Sequence, residues 1–273
     1  MASIIQPEYR PQLLQTLRAL GEWAALGFYE ALDLPRPRAH GRALLRLYEN
    51  MDIVVPPGRM LIPGEPLAHA RTMESHGAWS ATALVLNFNH HCGFHVAPEI
   101  AAEKKTRYPQ HADFIDALVE DLGRRLPHFG GYTHSNPDMR RVVGAGFSAM
   151  ERELDEQIAA LAAEGEKAAP SERHLLAALK DYAGGVRAFH GRSVEALRAA
   201  SVSRRELAPI AEALAHGFVH PARTFLEGLL AVNFAWMLDG CDSIGRLDQV
   251  LGTLYEQDLA TGALDINLAR QLL

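Results

Sequence analysis

Pro221-Ala222-Arg223-Thr224-Phe225-Leu226-Glu227-Gly228-Leu229-Leu230 is the stretch on which the reading of this chain turns. A proline suits the first turn of a helix, where its missing N–H costs nothing. Apolar residues continue to Leu238, so the pattern predicts an apolar helix over 222–238. Arg223 and Glu227 stand four residues apart and are expected to pair on one face. A polar loop follows: Asp239-Gly240-Cys241-Asp242-Ser243-Ile244-Gly245-Arg246-Leu247-Asp248-Gln249. One reading is helix capping, with Asp242 or Ser243 as the cap and Arg246 paired with Asp248 or Asp239. The other is a functional loop.

Outward from this centre the chain reads as mostly helical. Three- and four-residue apolar steps predict helices over 13–24, 39–50, 113–126 and 139–163. Ser171 is placed to cap a helix running to about 200, weakened in its middle by Gly184, Gly185 and Gly191. Ser203 is placed to cap 204–215, and further helices are expected at 247–259 and 267–273. Ile53-Val54-Val55 and Arg59-Met60-Leu61-Ile62 read as two short strands around Pro56-Pro57-Gly58. Residues 71–98 read as loop apart from an apolar run at 83–86. No repeat or linker divides the chain, so one domain over 1–273 is expected.

Composition bounds the function. The 273 residues carry 27 Lys+Arg against 33 Asp+Glu, a net charge of -6 that argues against a nucleic-acid partner. No apolar stretch approaches the roughly 20 residues of a membrane span, and the first residues lack a secretory pattern. Two cysteines, Cys92 and Cys241, make no disulfide framework and suit a reducing, cytoplasmic setting. There is no P-loop, no G-x-S-x-G elbow, and Gly144-Ala145-Gly146 lacks the strand and third glycine of a dinucleotide site.

Asn87-Phe88-Asn89-His90-His91-Cys92-Gly93-Phe94-His95 is the densest polar cluster. His90, His91, Cys92 and His95 have the donor types of a zinc site. No second ligand pair accompanies them, and so many imidazoles and carboxamides need hydrogen-bond partners when buried. The wall of a ligand pocket or a structural network is the alternative, and no metal is assigned.

The segment at 221–230, then Gly245-Arg246-Leu247-Asp248-Gln249, then Leu254-Tyr255-Glu256-Gln257-Asp258-Leu259, resembles the pyruvate formate-lyase-like glycyl radical enzymes. That family has a "PARTFxEAL" helix, "GR-x-DQ" and a "YYxxDL" turn in the same order, and 265–273 stands where its next helix lies. Ile53-Val54-Val55-Pro56-Pro57-Gly58-Arg59-Met60-Leu61 looks like its early hairpin. Gly93-Phe94-His95-Val96-Ala97-Pro98-Glu99 looks like its "GH-x-x-PDY" segment. The likeness covers most of the chain, more loosely before about residue 90.

The resemblance implies a mainly α fold with a few short strands, the N-terminal part of the family's α/β barrel. It implies the chemistry of an anaerobic lyase or dehydratase of a small polar substrate. In the family, an activating enzyme using S-adenosylmethionine and an iron–sulfur cluster places a radical on a glycine, which passes it to a cysteine. The "GC-x-E" and "RV-x-GY" loops of those residues have no counterpart here, and neither Cys92 nor Cys241 aligns with the radical cysteine. The expectation is therefore a portion truncated before the radical loops, inactive alone, with no catalytic residue of its own. A second chain carrying the C-terminal half is then a possible partner. By the same likeness Asn87, His95, Asp242 and Ser243 line the substrate pocket, while Arg246, Asp248, Arg223 and Glu227 are structural. A non-catalytic small-molecule-binding or interaction protein on the same scaffold is the alternative.

Overall fold

The computed structural model describes residues 5–51, 53, 55, 85–86, 95–96, 98–125, 137–167, 169–239 and 245–273. Twelve helices are found among them: α1 (Arg10–Leu20), α2 (Trp23–Glu30), α3 (Arg36–Asn50), α4 (Pro98–Arg107), α5 (Ala112–Arg125), α6 (Met139–Ala145), α7 (Phe147–Ala163), α8 (Pro170–Ser201), α9 (Leu207–Gly217), α10 (Phe225–Asp239), α11 (Leu247–Thr261) and α12 (Ile266–Leu272). None is long and apolar enough to cross a membrane.

The expectation of an α/β barrel portion is corrected. Extended pairing among the described residues is limited to β1 (Val85–Leu86) against β2 (His95–Val96), antiparallel, with Leu86 opposite His95. A barrel requires a closed set of tilted strands, and a single two-residue ladder falls far short of that. Ile53 and Val55 stand outside any strand. The rest of the anticipated hairpin at 56–62 lies outside the described residues.

Helix boundaries differ from the periodicity at two glycines. Gly21 takes φ +69° and ends α1, although the apolar pattern runs on to Trp23. Gly146 takes φ +75° and separates α6 from α7, so Gly144-Ala145-Gly146 does not lie inside one helix. Gly185 behaves in the opposite way. It leaves the 32-residue α8 unbroken and admits a close neighbour, since a Cβ there would sit 3.0 Å from Leu45 Cα. Two other starts move. The helix α8 begins at Pro170, so Ser171 lies inside it instead of capping it. The helix α9 begins at Leu207, and the Ser203 hydroxyl donates to the Ala200 carbonyl at 3.2 Å instead of capping it. The helix α4 has no counterpart in the sequence expectation.

Two compact units emerge. The first comprises Met1–Asp52, Leu67–Thr133 and Leu154–Phe189. Its core is set by Leu13, Leu17 and Leu20 of α1 together with Tyr29, Ala43 and Tyr48, all buried. Gly27 lets α2 and α3 touch backbone to backbone, for a Cβ there would lie 2.2 Å from the Arg42 carbonyl oxygen. Tyr48 packs its ring on those of Tyr182 and Phe189, with centroids 6.1 and 5.6 Å apart. Two polar contacts are sealed inside this unit. Lys104 of α4 pairs with Glu22 at 3.1 Å and donates to the Leu20 carbonyl. The Tyr29 hydroxyl donates to Asp121 Oδ2 at 2.6 Å, and Arg125 donates to the same oxygen at 2.9 Å. Burial raises the Tyr29 pKa, and the neighbouring Asp121 raises it further.

The second unit comprises Ile53–Pro66, His134–Glu153 and His190–Leu273. Its centre is the apolar α10, whose Leu230, Ala231, Val232 and Phe234 are buried. Phe218 lies between Phe234 and His190, with ring centroids 4.6 and 5.3 Å away. Nε2 of His190 is 3.0 Å from the Leu214 carbonyl oxygen.

Candidate functional site

Residues 218–222 pass directly beneath the turn between α6 and α7. The N–H groups of Phe147 and Ser148 donate to the carbonyls of Phe218 and Val219 at 2.9 and 3.1 Å, and Ala222 N–H donates to the Val143 carbonyl at 2.9 Å. Gly146 makes this approach possible. A Cβ at that position would lie 2.6 Å from the carbonyl carbon of His220. Asp138 starts α6 by accepting from the Arg141 N–H at 3.1 Å.

The chain then enters α10 at Phe225, and not at Ala222 as the proline alone implied. Pro221 therefore lies ahead of the helix. Thr224 Oγ1 accepts from Glu227 N–H at 3.2 Å, and the Glu227 carboxylate turns back to accept from Arg223 N–H at 2.7 Å. Thr-x-x-Glu is the sequence signature of a capping box, here with the Glu227 carboxylate reaching the N–H one residue ahead of Thr224. That spacing was the available signal for where the helix begins. A second acceptor comes from far along the chain: Asp258 Oδ2 takes the Phe225 N–H at 2.8 Å. Helix N-termini leave their first N–H groups unpaired and favour negative charge, so two carboxylates here are well placed. Tyr255, one turn before Asp258, sets its ring edge on Phe225 with centroids 5.5 Å apart.

Glu227 is the hub. Its side chain is nearly closed to solvent at 7% exposure. Arg223 Nη2 donates to Oε1 at 2.7 Å, and His216 Nδ1 stands 3.2 Å from Oε2. Burial alone would push its pKa up, but the two hydrogen bonds from Arg223 and the nearby His216 outweigh it and hold the carboxyl below its ordinary value. Its partner Arg223 is held correspondingly higher, chiefly by the same hydrogen bond. A carboxylate kept ionised in this way is a poor proton donor at neutral pH. Its chemistry is to clamp the turn, not to titrate.

At the start of α11, Arg246 makes a two-pronged pair with Asp248 at 2.9 and 2.7 Å, both side chains being exposed. Hydrogen bonding to Arg246 lowers the Asp248 pKa. Arg140 of α6 donates to Gln249.

Of the pocket residues expected from sequence, Asn87, Asp242 and Ser243 lie outside the described residues, and so do His90, His91, Cys92 and Cys241. His95 is placed only by its backbone, in β2. Among the described residues no group of three His, Cys, Asp or Glu could hold a metal ion. The structure thus brings together Arg223, Glu227, His216, Phe225 and Asp258, of which the sequence reading had paired only the first two.

Comparison with known proteins places this arrangement. No curated protein matches the chain. Several solved structures share its fold. One, described for 1,2-propanediol dehydration in Roseburia inulinivorans, has a TM-score of 0.65 and 17% identity and covers 99% of this chain. A glycyl radical enzyme from Archaeoglobus fulgidus has a TM-score of 0.65 and 16% identity over 97% of this chain. The glycerol-bound B12-independent glycerol dehydratase from Clostridium butyricum has a TM-score of 0.62 and 15% identity over 100% of it. The chain spans 39% of the length of each of these structures. The family described as pyruvate formate lyase-like matches residues 65–273. With that match over most of its length, the chain belongs to the pyruvate formate lyase-like family.

Proposed function

We propose that these residues form the helical shell and part of the substrate-pocket wall of a glycyl radical lyase or dehydratase acting on a small polar molecule. The family match over residues 65–273 carries this reading. The shared fold with structures described for propanediol dehydration and for glycerol-bound dehydratase supports a hydroxylated substrate. In this proposal Asn87, His95, Asp242 and Ser243 bind and orient the substrate. Donors and acceptors of these types suit hydroxyl and carboxylate groups in a mostly enclosed pocket.

The capped start of α10 has a mechanical part in this. Helix α10 ends at Asp239, one residue before the segment that carries Asp242 and Ser243. A helix clamped at one end by Glu227 and Asp258 delivers its other end to a defined place. Binding groups need that precision, because misplacement of about 1 Å is costly to catalysis. Arg223, Glu227, Arg246 and Asp248 act as supports and touch no substrate. When present, the glycyl radical supplies the one-electron chemistry. Its glycine and cysteine belong to polypeptide outside these residues, and an activase using S-adenosylmethionine and an iron–sulfur cluster installs it. No radical step is assigned to Cys92 or Cys241.

Anaerobic activation tests the proposal. The 273-residue chain, alone and together with the polypeptide encoded directly downstream, is incubated with activase, S-adenosylmethionine and reductant. Glycerol, 1,2-propanediol and pyruvate are then offered. The expected result is a glycyl radical signal by electron paramagnetic resonance, with turnover, only in the combined sample. A radical and turnover in the isolated chain would sink it. A small polyol that raises the melting temperature, with no radical in either sample, would instead favour a non-catalytic binding scaffold.

A further inference from the structure

We propose that the cleft between α3, α7 and α8 in the first unit binds a small amphiphilic carboxylate, a medium-chain fatty acid being its simplest form. The cleft has a volume of about 430 Å³. That lies in the range of small-molecule sites. A docked helix, 10–12 Å across with its side chains, asks for a longer trough.

The walls are apolar. Ile158 and Leu161 of α7 face Leu176 of α8, and Ala162 and Ala177 leave room between them. No residue of the 17-residue α7 is fully buried, so the apolar stripe of an amphipathic helix is only half covered here.

Charge gathers around these walls. Arg38 and Asp181 line the cleft. Arg38 and Arg42 both reach Asp181 Oδ2, at 3.5 and 3.7 Å, too far for good hydrogen bonds. That oxygen is buried and accepts no hydrogen bond. Two guanidinium groups on one carboxylate leave positive charge over. Lys180 and Arg173 add further cations to the lining, tied to Asp155 and to the Gly165 carbonyl respectively. Three cations and one carboxylate line the apolar interior, and with Lys180 balanced by Asp155 the two guanidiniums of Arg38 and Arg173 still outnumber Asp181. An anionic head group answers the excess charge, and an alkyl tail covers the leucine and isoleucine surface. A neutral alcohol of equal length satisfies only the second requirement.

Calorimetric titration of the 273-residue chain with octanoate, and with octanol at matched concentrations below micelle formation, tests this. Octanoate is expected to bind with a dissociation constant of about 1 mM or tighter, and octanol about tenfold more weakly. Two variants locate the site. Ala162→Trp places an indole in the cleft from a solvent-exposed position. Arg38→Gln removes a cation while Arg42 stays on Asp181. Each is expected to weaken octanoate about tenfold while the ligand-free melting temperature holds. Absent octanoate binding, equal affinity for octanol, or unchanged affinity in Ala162→Trp overturns the proposal. Should Arg38→Gln lose the fold, the Ala162→Trp result and the octanol comparison decide it.

Discussion

The Phe225 N–H donates to Asp258 Oδ2 at 2.8 Å across 33 residues of sequence. This one contact joins two of the segments by which the chain resembles its family, the helix start at 221–230 and the Tyr255-Glu256-Gln257-Asp258-Leu259 turn. Asp258→Ala leaves a buried donor unpaired and is expected to cost about 1–3 kcal/mol. Asp258→Asn keeps an acceptor oxygen and should cost less. Urea unfolding of both variants measures the difference. Equal stability of Asp258→Ala and the parent would show that the contact carries no weight.

Glu22 and Lys104 form an ion pair with side-chain exposures of 1% and 3%. Breaking such a pair strands one charge, so Glu22→Gln is expected to destabilise the chain by about 3–5 kcal/mol. Replacing both partners, as Glu22→Leu with Lys104→Met, should recover most of that loss, because neither charge then has to be desolvated. A double-mutant cycle by chemical denaturation checks the sign.

The acid limb of the stability curve should depend on Glu227. Its folded pKa is lowered from an ordinary value of 4.5. The unfolded state therefore takes up the proton first as pH falls. The stabilisation is complete above about pH 4.5 and drains away as pH drops through the folded value. Melting temperature measured against pH should fall less steeply in Glu227→Gln than in the parent over that window. Parallel curves would contradict the assignment.

Tyr29 gives the opposite limb. Burial, then Asp121, raises its pKa above the ordinary 10.0. Its contribution is whole below about pH 10 and is lost as pH climbs beyond it. The phenolate absorbance of Tyr29 should consequently appear only on alkaline unfolding, and Tyr29→Phe should remove that component. The same variant takes one of the two described donors from Asp121 Oδ2 and is expected to cost about 1–3 kcal/mol.

The sequence made the helices legible where burial follows helical periodicity. Residues 113–126 were expected to be helical, and α5 runs from Ala112 to Arg125 with Leu118 and Leu122 fully buried. The glycines were not legible. Gly21 and Gly146 break helices through positive φ, whereas Gly185 permits a close approach within one. The same residue type serves both ends, and only the neighbour across the fold decides between them. The Arg223–Glu227 pair was visible because four-residue spacing is local. Asp258 was not, because its target is 33 residues away and no periodicity encodes a distant cap. The first anticipated strand failed at Ile53 and Val55 for another reason, while its partner at 59–62 lies outside the described residues: short apolar runs beside prolines carry no information about whether a partner strand exists.

At Gly217 the helix α9 meets α10 so closely that a Cβ would stand 2.5 Å from the Glu227 carbonyl oxygen. Gly144 and Gly252 of the same unit have open space around theirs. A saturation library should therefore show intolerant codons at 217 and 146 beside permissive ones at 144 and 252. Whatever freedom to drift this lineage has, it ends where two main chains already occupy the room a side chain would need.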